Sequence, residues 1–215
     1  MRFAAALVVL CLVASLAQAQ ADTEHSKAPT NCAQFQIDQK ASQPLHAVTL
    51  PPLATCKTKS DSGKFVPDSN CTPGAINPTI TESMLKNPAF RTGCIRNEAT
   101  TEEQKTATYG WYKISHPASN TGDTQTCELD HLIPLYLGGA DTLENIWPQC
   151  GPGGVALDDR YFKEKDKVEY YLGQQVREGN MALADAQHGI ATNWTQYLSK
   201  SEEFCRSGKC DFTGK

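Results

Sequence analysis

The segment CELDHLIPLYLGG at residues 127–139 decides the fold, together with the segment ENIWPQ at residues 144–149. An acidic residue and a histidine, Asp130 and His131, stand inside a mostly apolar run that has the length of a strand. The Gly-Gly pair that follows indicates a turn, and the second apolar segment carries one asparagine, Asn145. This order predicts two short strands joined by a turn, with polar side chains on both.

Helical patterns lie on both sides of this pair of strands. Apolar residues recur at helical spacing over residues 158–177 and again over residues 183–198, which is typical of helices that pack on a core. Shorter helices are predicted at 79–86 and 100–112, each with threonine as a candidate cap, and a short strand near 46–50. Together these patterns predict an α+β fold.

The first residues of the chain are typical of a secretory signal peptide. Arg2 gives a short positive start, residues 4–16 are apolar, and residues 17–19 form a small-x-small cleavage signal. The apolar stretch is too short to span a membrane, and no later stretch is longer and equally apolar. We therefore expect a secreted, extracellular protein that has no membrane partner.

Cysteine usage agrees with export. Of the nine cysteines, one lies in the predicted signal peptide, and the remaining even number favours four disulfides, because oxidising compartments stabilise them. The connectivity stays open, except that the close spacing of Cys205 and Cys210 predicts a small C-terminal loop. A zinc site made by Cys127, His131 and Cys150 is a weaker alternative, because this spacing fits no compact zinc motif.

The chain is long enough for one sizeable core, and we expect a monomer with a single folded domain. Cysteines Cys32 and Cys56 are expected to tie a loop-rich N-terminal segment to that domain. The predicted regions are the signal peptide at 1–19, the loop-rich segment at 20–66, the folded domain at 67–200 and the C-terminal tail at 201–215.

The charge balance is mildly acidic, with 24 Asp and Glu against 20 Lys and Arg and a formal net charge of −4. Sequence-independent binding of nucleic acid normally depends on many lysines and arginines. The composition therefore argues against a broad grip on nucleic acid. It leaves room for a local basic groove, or for contact with a single phosphate through a metal ion.

The order of residues in 127–149, followed by a charged helix, resembles the HNH, or ββα-metal, nuclease family. The segment PDSNCTPGAINP at residues 67–78 also resembles a segment that precedes the nuclease motif in a group of exported HNH-like proteins. The resemblance implies a ββα-metal core, a short hairpin plus a helix, within residues 67–200. It also implies a secreted, metal-dependent endonuclease, a phosphodiesterase of the hydrolase class, which acts on DNA or alternatively on RNA.

The resemblance assigns roles to the polar residues of the two strands. His131 is predicted to be the general base, since the ordinary pKa of histidine suits proton transfer near neutral pH. Asp130 is predicted to bind the metal ion. Asn145 is predicted to orient the His131 ring through a hydrogen bond, which would fix its tautomer.

The helix supplies the remaining metal ligand in the family, usually as histidine or asparagine, and this chain has neither in that turn. We predict Asp166, because KDKVE at residues 165–169 resembles a K-D-x-x-E pattern of related exported members. Glu164 and Glu169 are the open alternatives. Hard carboxylate ligands favour one divalent ion, Mg²⁺ first, with Mn²⁺ or Ca²⁺ as alternatives.

Two other functions are consistent with the sequence. One is a secreted, disulfide-rich binding or effector protein that has the nuclease-like fold but no turnover, and the other is a metal-assisted hydrolase of another phosphoester. Structural roles also compete for single residues: Asn145 as a turn residue, and Asp166 and Glu169 as a solvated helix face. Asn70 and Asn193 fit the pattern of glycosylation acceptors.

Overall fold

A computed structural model describes residues 32–210. The predicted signal peptide at 1–19 and the end of the predicted tail at 211–215 lie outside the described residues. The described chain contains both α-helices and small antiparallel sheets, so the prediction of an α+β fold is confirmed at that level. Within residues 32–210, no helix combines the length and the apolar character that crossing a membrane requires.

The regular elements are short, apart from one long helix. The strands are β1 Gln43–Pro44, β2 Lys59–Asp61, β3 Lys64–Val66, β4 Ala75–Ile76, β5 Cys127–His131 and β6 Ile146–Cys150. The helices are α1 Glu82–Lys86, α2 Glu102–Trp111, α3 Tyr161–Arg177, α4 Leu183–Asn193 and α5 Leu198–Phe204. Strands pair as β1 with β4, β2 with β3 and β5 with β6. The strand predicted near 46–50 is wrong, since those residues are irregular.

The β5–β6 hairpin is the element that the sequence analysis started from. Its strands are antiparallel, and Asp130 lies opposite Trp147. Strand β5 is shorter than the apolar run, because Pro134 has no N–H to continue a ladder. A 3₁₀ turn at Leu135–Leu137 follows, and Gly138 ends it with a left-handed φ of 73°. The chain therefore leaves the strand just after the Asp-His pair.

Local capping explains where the helices begin and end. Thr81 caps α1, and Thr101 caps α2 with a complete capping box, as the sequence patterns predict. The helix predicted over 183–198 is divided, because Asn193 adopts extended backbone geometry and its side chain accepts a hydrogen bond from Thr195. A 3₁₀ segment, Trp194–Tyr197, therefore separates α4 from α5.

The main core joins α3 to α4 and to the loop that follows β5. Its members are all fully buried: Ile133, Leu137, Val168, Leu172, Val176, Ala186, Ile190 and Trp194. Burial of an aliphatic or aromatic side chain of this size contributes about 1.5–3 kcal/mol. This packing holds the end of β5 at a fixed distance from α3.

Four disulfides join the described cysteines: Cys32–Cys94, Cys56–Cys71, Cys127–Cys150 and Cys205–Cys210. The predicted C-terminal pair is confirmed. The zinc alternative is wrong, since the two cysteines that it needed are bonded to each other across the hairpin. Four disulfides fit an extracellular protein, because such bonds persist in oxidising compartments.

Candidate functional site

A cleft of about 280 Å³ lies between β5, the turn that follows it and the first half of α3. Its lining residues are Thr92, Arg96, Glu128, Leu129, Asp130, His131, Pro134, Leu135, Tyr136, Asp166 and Glu169. The structure thus brings three predicted site residues together: Asp130, His131 and Asp166. The fourth, Asn145, does not line the cleft.

Asp130 is bound by a buried lysine of α3. The Lys165 ammonium lies 2.8 Å from the Asp130 carboxylate and 2.7 Å from that of Glu169. It also donates to the backbone carbonyl of His131 at 2.8 Å. The indole N–H of Trp147 donates to the same Asp130 oxygen at 3.2 Å. The carboxylate predicted to bind a metal ion is therefore already engaged by a cation of the protein.

Burial and neighbouring charges shift the pKa values of Asp130 and Lys165 in opposite directions. Burial raises the pKa of Asp130 to about 6, and the neighbouring Lys165 only partly offsets this effect. Burial also opposes the charge on Lys165, but Asp130 and Glu169 outweigh it and raise its pKa above the ordinary value. The lysine therefore stays protonated at neutral pH.

Asp141 is the partner of the His131 ring. Its carboxylate lies 2.8 Å from His131 Nε2 and also accepts the backbone N–H of Asn97 at 2.9 Å. Burial alone would raise the pKa of Asp141, but the hydrogen bond from His131, together with Asn97 and Lys105, holds it well below its usual range. An ionised carboxylate can only accept, so Nε2 carries the hydrogen and Nδ1 keeps the lone pair in the neutral ring.

The ring itself is kept neutral. Burial lowers the pKa of His131, and the charges of Arg96 and Lys105 act in the same direction, against Asp141. At neutral pH the ring therefore offers Nδ1 as a hydrogen-bond or proton acceptor. The partner that holds the ring is Asp141, not the predicted Asn145, and the role of His131 as a base stays a prediction.

Asn145 supports the loop after β5, which corrects the prediction that it orients His131. The side chain is fully buried. Its amide N–H groups donate to the carbonyls of Ile133 and Ala140, both at 2.8 Å. Its oxygen accepts the backbone N–H groups of Ile133 at 2.9 Å and Ala75 at 3.3 Å. An amide suits this place because it has both donors and an acceptor, and the His131 ring is held instead by the carboxylate of Asp141.

Of the three helix residues considered as metal ligands, two line the cleft and one does not. Asp166 lines the cleft and pairs with Lys163 at 3.1 Å. Glu169 lines the cleft beside Lys165, whereas Glu164 pairs with Lys64 at 3.1 Å and does not line it. No group of three or more His, Cys, Asp or Glu side chains within residues 32–210 could hold a metal ion. Among the described residues, Asp130 and Asp166 therefore line the same cleft without belonging to a cluster of three such side chains.

Two further cleft residues, Glu128 and Arg96, carry ionisable side chains. Glu128 is two residues before Asp130 on β5, and alternate residues of a strand share a face. Burial, followed by repulsion from Asp130 and Asp166, raises the pKa of Glu128 to about 7. Arg96 is exposed at the cleft, and its side chain makes no hydrogen bond or ion pair with any residue in 32–210. The cleft thus contains a carboxyl group that titrates near neutral pH and an available guanidinium.

Four residues of the site were not predicted from the sequence: Arg96, Glu128, Asp141 and Lys165. A signal for Lys165 was present, since it follows the buried Phe162 and precedes the buried Val168 by three residues each, on the apolar side of α3. Strand alternation likewise could have placed Glu128 beside Asp130. Asp141 lies in the turn between the strands, and no local pattern indicates its contact with His131.

Comparison with known proteins gives little on the family. No family model matches the chain, and no solved structure matches it. A stretch of 67 residues is 36% identical to 8-demethyl-8-(2,3-dimethoxy-alpha-L-rhamnosyl)-tetracenomycin-C 4'-O-methyltransferase from Streptomyces olivaceus. The match covers 30% of this chain and 25% of that protein, so the chain spans about a quarter of the relative's length.

This match corrects one prediction. The matched protein is a transferase, whereas the sequence analysis predicted a phosphodiesterase of the hydrolase class. The hydrolase prediction is contradicted by this similarity. The stretch is too short to assign the methyltransferase's activity or substrate to this chain.

Proposed function

We propose that this protein is a secreted, disulfide-rich binding protein that holds a phosphate group of nucleic acid in its cleft and does not turn it over. Export would follow from the predicted signal peptide at 1–19. The proposal keeps the nuclease-like arrangement of a hairpin and a helix as the scaffold of the site. Support comes from the β5–β6 hairpin, which packs near α3 with Asp130 and His131 at its end.

The observation that carries the proposal is the exposed guanidinium of Arg96 at the cleft. An arginine can form two parallel hydrogen bonds to one phosphate, a geometry that suits phosphate and carboxylate groups alike. Since Arg96 has no described partner within residues 32–210, binding would break no existing ion pair. The guanidinium therefore supplies the attraction that the acidic composition of the chain does not.

The remaining cleft residues are compatible with an anion. Lys165 offsets one of the two charges of Asp130 and Glu169, Lys163 offsets Asp166, and the other carboxyl group on β5, Glu128, has a pKa of about 7. A protonated carboxyl group can donate a hydrogen bond to a phosphate oxygen. We therefore expect binding to strengthen as the pH falls through about 7, where Glu128 takes up its proton.

The net charge of −4 sets the expected mode of binding. Contact with one or two phosphates releases few counterions, so the affinity should be modest and should change little with salt. A short oligonucleotide should then bind about as well as a long one, apart from the larger number of sites on the long one. DNA is the first choice of ligand, with RNA as the alternative.

Fluorescence anisotropy with short labelled DNA and RNA tests the proposal in wild type and in Arg96→Gln. Arg206→Gln is the matched control, because Arg206 is exposed, lies outside the cleft and loses the same charge. A hydrogen bond to a charged group contributes about 1.5–3 kcal/mol, so Arg96→Gln should weaken binding by about 10-fold or more. It should also lower the salt slope by about one.

Three results would contradict the proposal. Absence of saturable binding to either nucleic acid would remove the ligand. An equal loss in Arg96→Gln and Arg206→Gln would mean that binding is non-specific. Cleavage of the oligonucleotide by wild type, absent from a matched sample of His131→Ala, would contradict a protein without turnover.

A further inference from the structure

We propose that Lys165 is a built-in cation that occupies the place of the divalent metal ion, so that this site is complete without a metal. The ammonium lies 2.8 Å from Asp130, 2.7 Å from Glu169 and 2.8 Å from the carbonyl oxygen of His131. These groups come from β5 and α3, the two elements from which the resemblance expects metal ligands. The inference goes beyond the proposed function and does not depend on a nucleic acid.

The three contacts use the whole hydrogen-bonding capacity of the lysine. A protonated amine has three N–H donors and no acceptor, and Lys165 has three acceptors at hydrogen-bond distance. Its side chain is fully buried. A buried charge is stable only when it is paired and hydrogen-bonded, and this one satisfies both conditions.

The position of the lysine follows from the geometry of α3. Lys165 and Glu169 are four residues apart and therefore lie on the same face of the helix. The buried residues Phe162, Val168 and Leu172 flank them on that face. Packing thus holds the lysine beside Asp130, with its side chain fully buried.

A divalent ion would have to displace this ammonium. The displaced lysine would be left buried without its acceptors, which is strongly destabilising because removing one partner of a buried pair leaves an uncompensated charge. The ion would reach Asp130 and Glu169 only after the ammonium had left them, and the neighbouring Asp166 is paired with Lys163. Mg²⁺ is commonly held by one or two carboxylates with water in its remaining positions, so it is the ammonium, and not a shortage of ligands, that keeps the ion out of the wild-type site.

Calorimetric titration of the purified protein with Mn²⁺ and Mg²⁺, in parallel with thermal melting in the presence and absence of EDTA, tests the inference. For wild type we expect no saturable heat from either metal. We also expect a melting temperature that stays within about 1 °C when EDTA or metal is added, because a ligand stabilises only the state that it binds. Saturable Mn²⁺ binding by wild type that Asp130→Asn removes would overturn the inference.

Lys165→Met tests whether a metal ion can replace the ammonium once the ammonium has been removed. Methionine keeps an unbranched chain of similar length but removes the ammonium, so Asp130 and Glu169 lose their cation. We expect a lower melting temperature that Mn²⁺ partly restores, while the control Lys167→Met on the same helix shows neither effect. A melting temperature equal to that of the control, with no response to Mn²⁺, would overturn the inference.

Nitrogen-detected NMR of the wild-type lysine side chains gives a result even if Lys165→Met does not fold. The ammonium protons of a lysine held by three acceptors exchange slowly with water, so one lysine signal should stay visible in protein treated with EDTA. Its assignment to Lys165 would come from its contacts with the surrounding residues. Rapid exchange of every lysine ammonium would contradict a fixed internal cation.

Discussion

Replacement of Asn145 by alanine separates a role in supporting the loop from a role in the cleft. The asparagine side chain forms four hydrogen bonds to the backbone, two to Ile133, one to Ala140 and one to Ala75. Alanine removes all four and leaves buried backbone groups without a partner. We therefore expect a large loss of stability from this substitution, although Asn145 does not line the cleft.

The size of the loss follows from the number of bonds. A net contribution of about 1 kcal/mol per hydrogen bond gives a total of about 4 kcal/mol for the four bonds of Asn145. Small domains are stable by about 5–15 kcal/mol, so the variant would lie near the limit of folding. Urea denaturation followed by circular dichroism measures the difference.

Asn70→Ala is the control, because Asn70 is exposed and its side chain has no described hydrogen bond within residues 32–210. An exposed substitution of this kind usually changes stability by less than about 0.5 kcal/mol. If Asn145→Ala lost no more stability than Asn70→Ala, the supporting role would be refuted. A role for Asn145 in orienting His131 would then have to be considered again.

Two further substitutions test the cleft and the turn. Because the pKa of Glu128 rises from 4.5 to about 7 on folding, stability is greatest below the unfolded value and is lost as the pH rises through about 7. Glu128→Gln should therefore become more stable than wild type as the pH rises from 4.5 to about 7, and the difference in stability should reach about 3 kcal/mol above pH 7. A difference in stability that does not change with pH would contradict this. Gly139→Ala should destabilise by about 2 kcal/mol or more, because the added Cβ would lie 1.8 Å from the carbonyl oxygen of Ile133. Gly153→Ala is its control, since a Cβ there meets nothing within 4 Å, and equal melting temperatures for the two variants would refute the clash.

Local patterns predicted the elements more reliably than their contacts. The threonine caps of α1 and α2 and the apolar stripe of α3 depend on residues close in sequence, and the structure has them where the patterns place them. The split between α4 and α5 depends on hydrogen bonds that Thr195 donates to the Asn193 side chain, which periodicity does not show. The apolar run after Asp130 looked like one long strand because a strand and a buried 3₁₀ turn are equally apolar.

In the site too, residues were predicted from local sequence, whereas their contacts were not. Asp130 and His131 stood out because charge inside an apolar run needs a reason, and both line the cleft. The contact between His131 and Asp141 depends on how the turn folds back, so the sequence assigned this role to Asn145. Charged residues of α3 were assigned to a solvated face or to a metal, whereas Lys165 is buried as the partner of two carboxylates.

The most direct test of binding in the cleft is an ¹H–¹⁵N correlation spectrum recorded while a short, unlabelled DNA is added to the oxidised protein. We expect the largest shifts at the amides of Arg96, of residues 128–131 and of Asp166, and an intact oligonucleotide at the end of the titration. Shifts that fall elsewhere on the described surface, or no shifts at concentrations that saturate the anisotropy signal, would contradict a phosphate-binding cleft between β5 and α3.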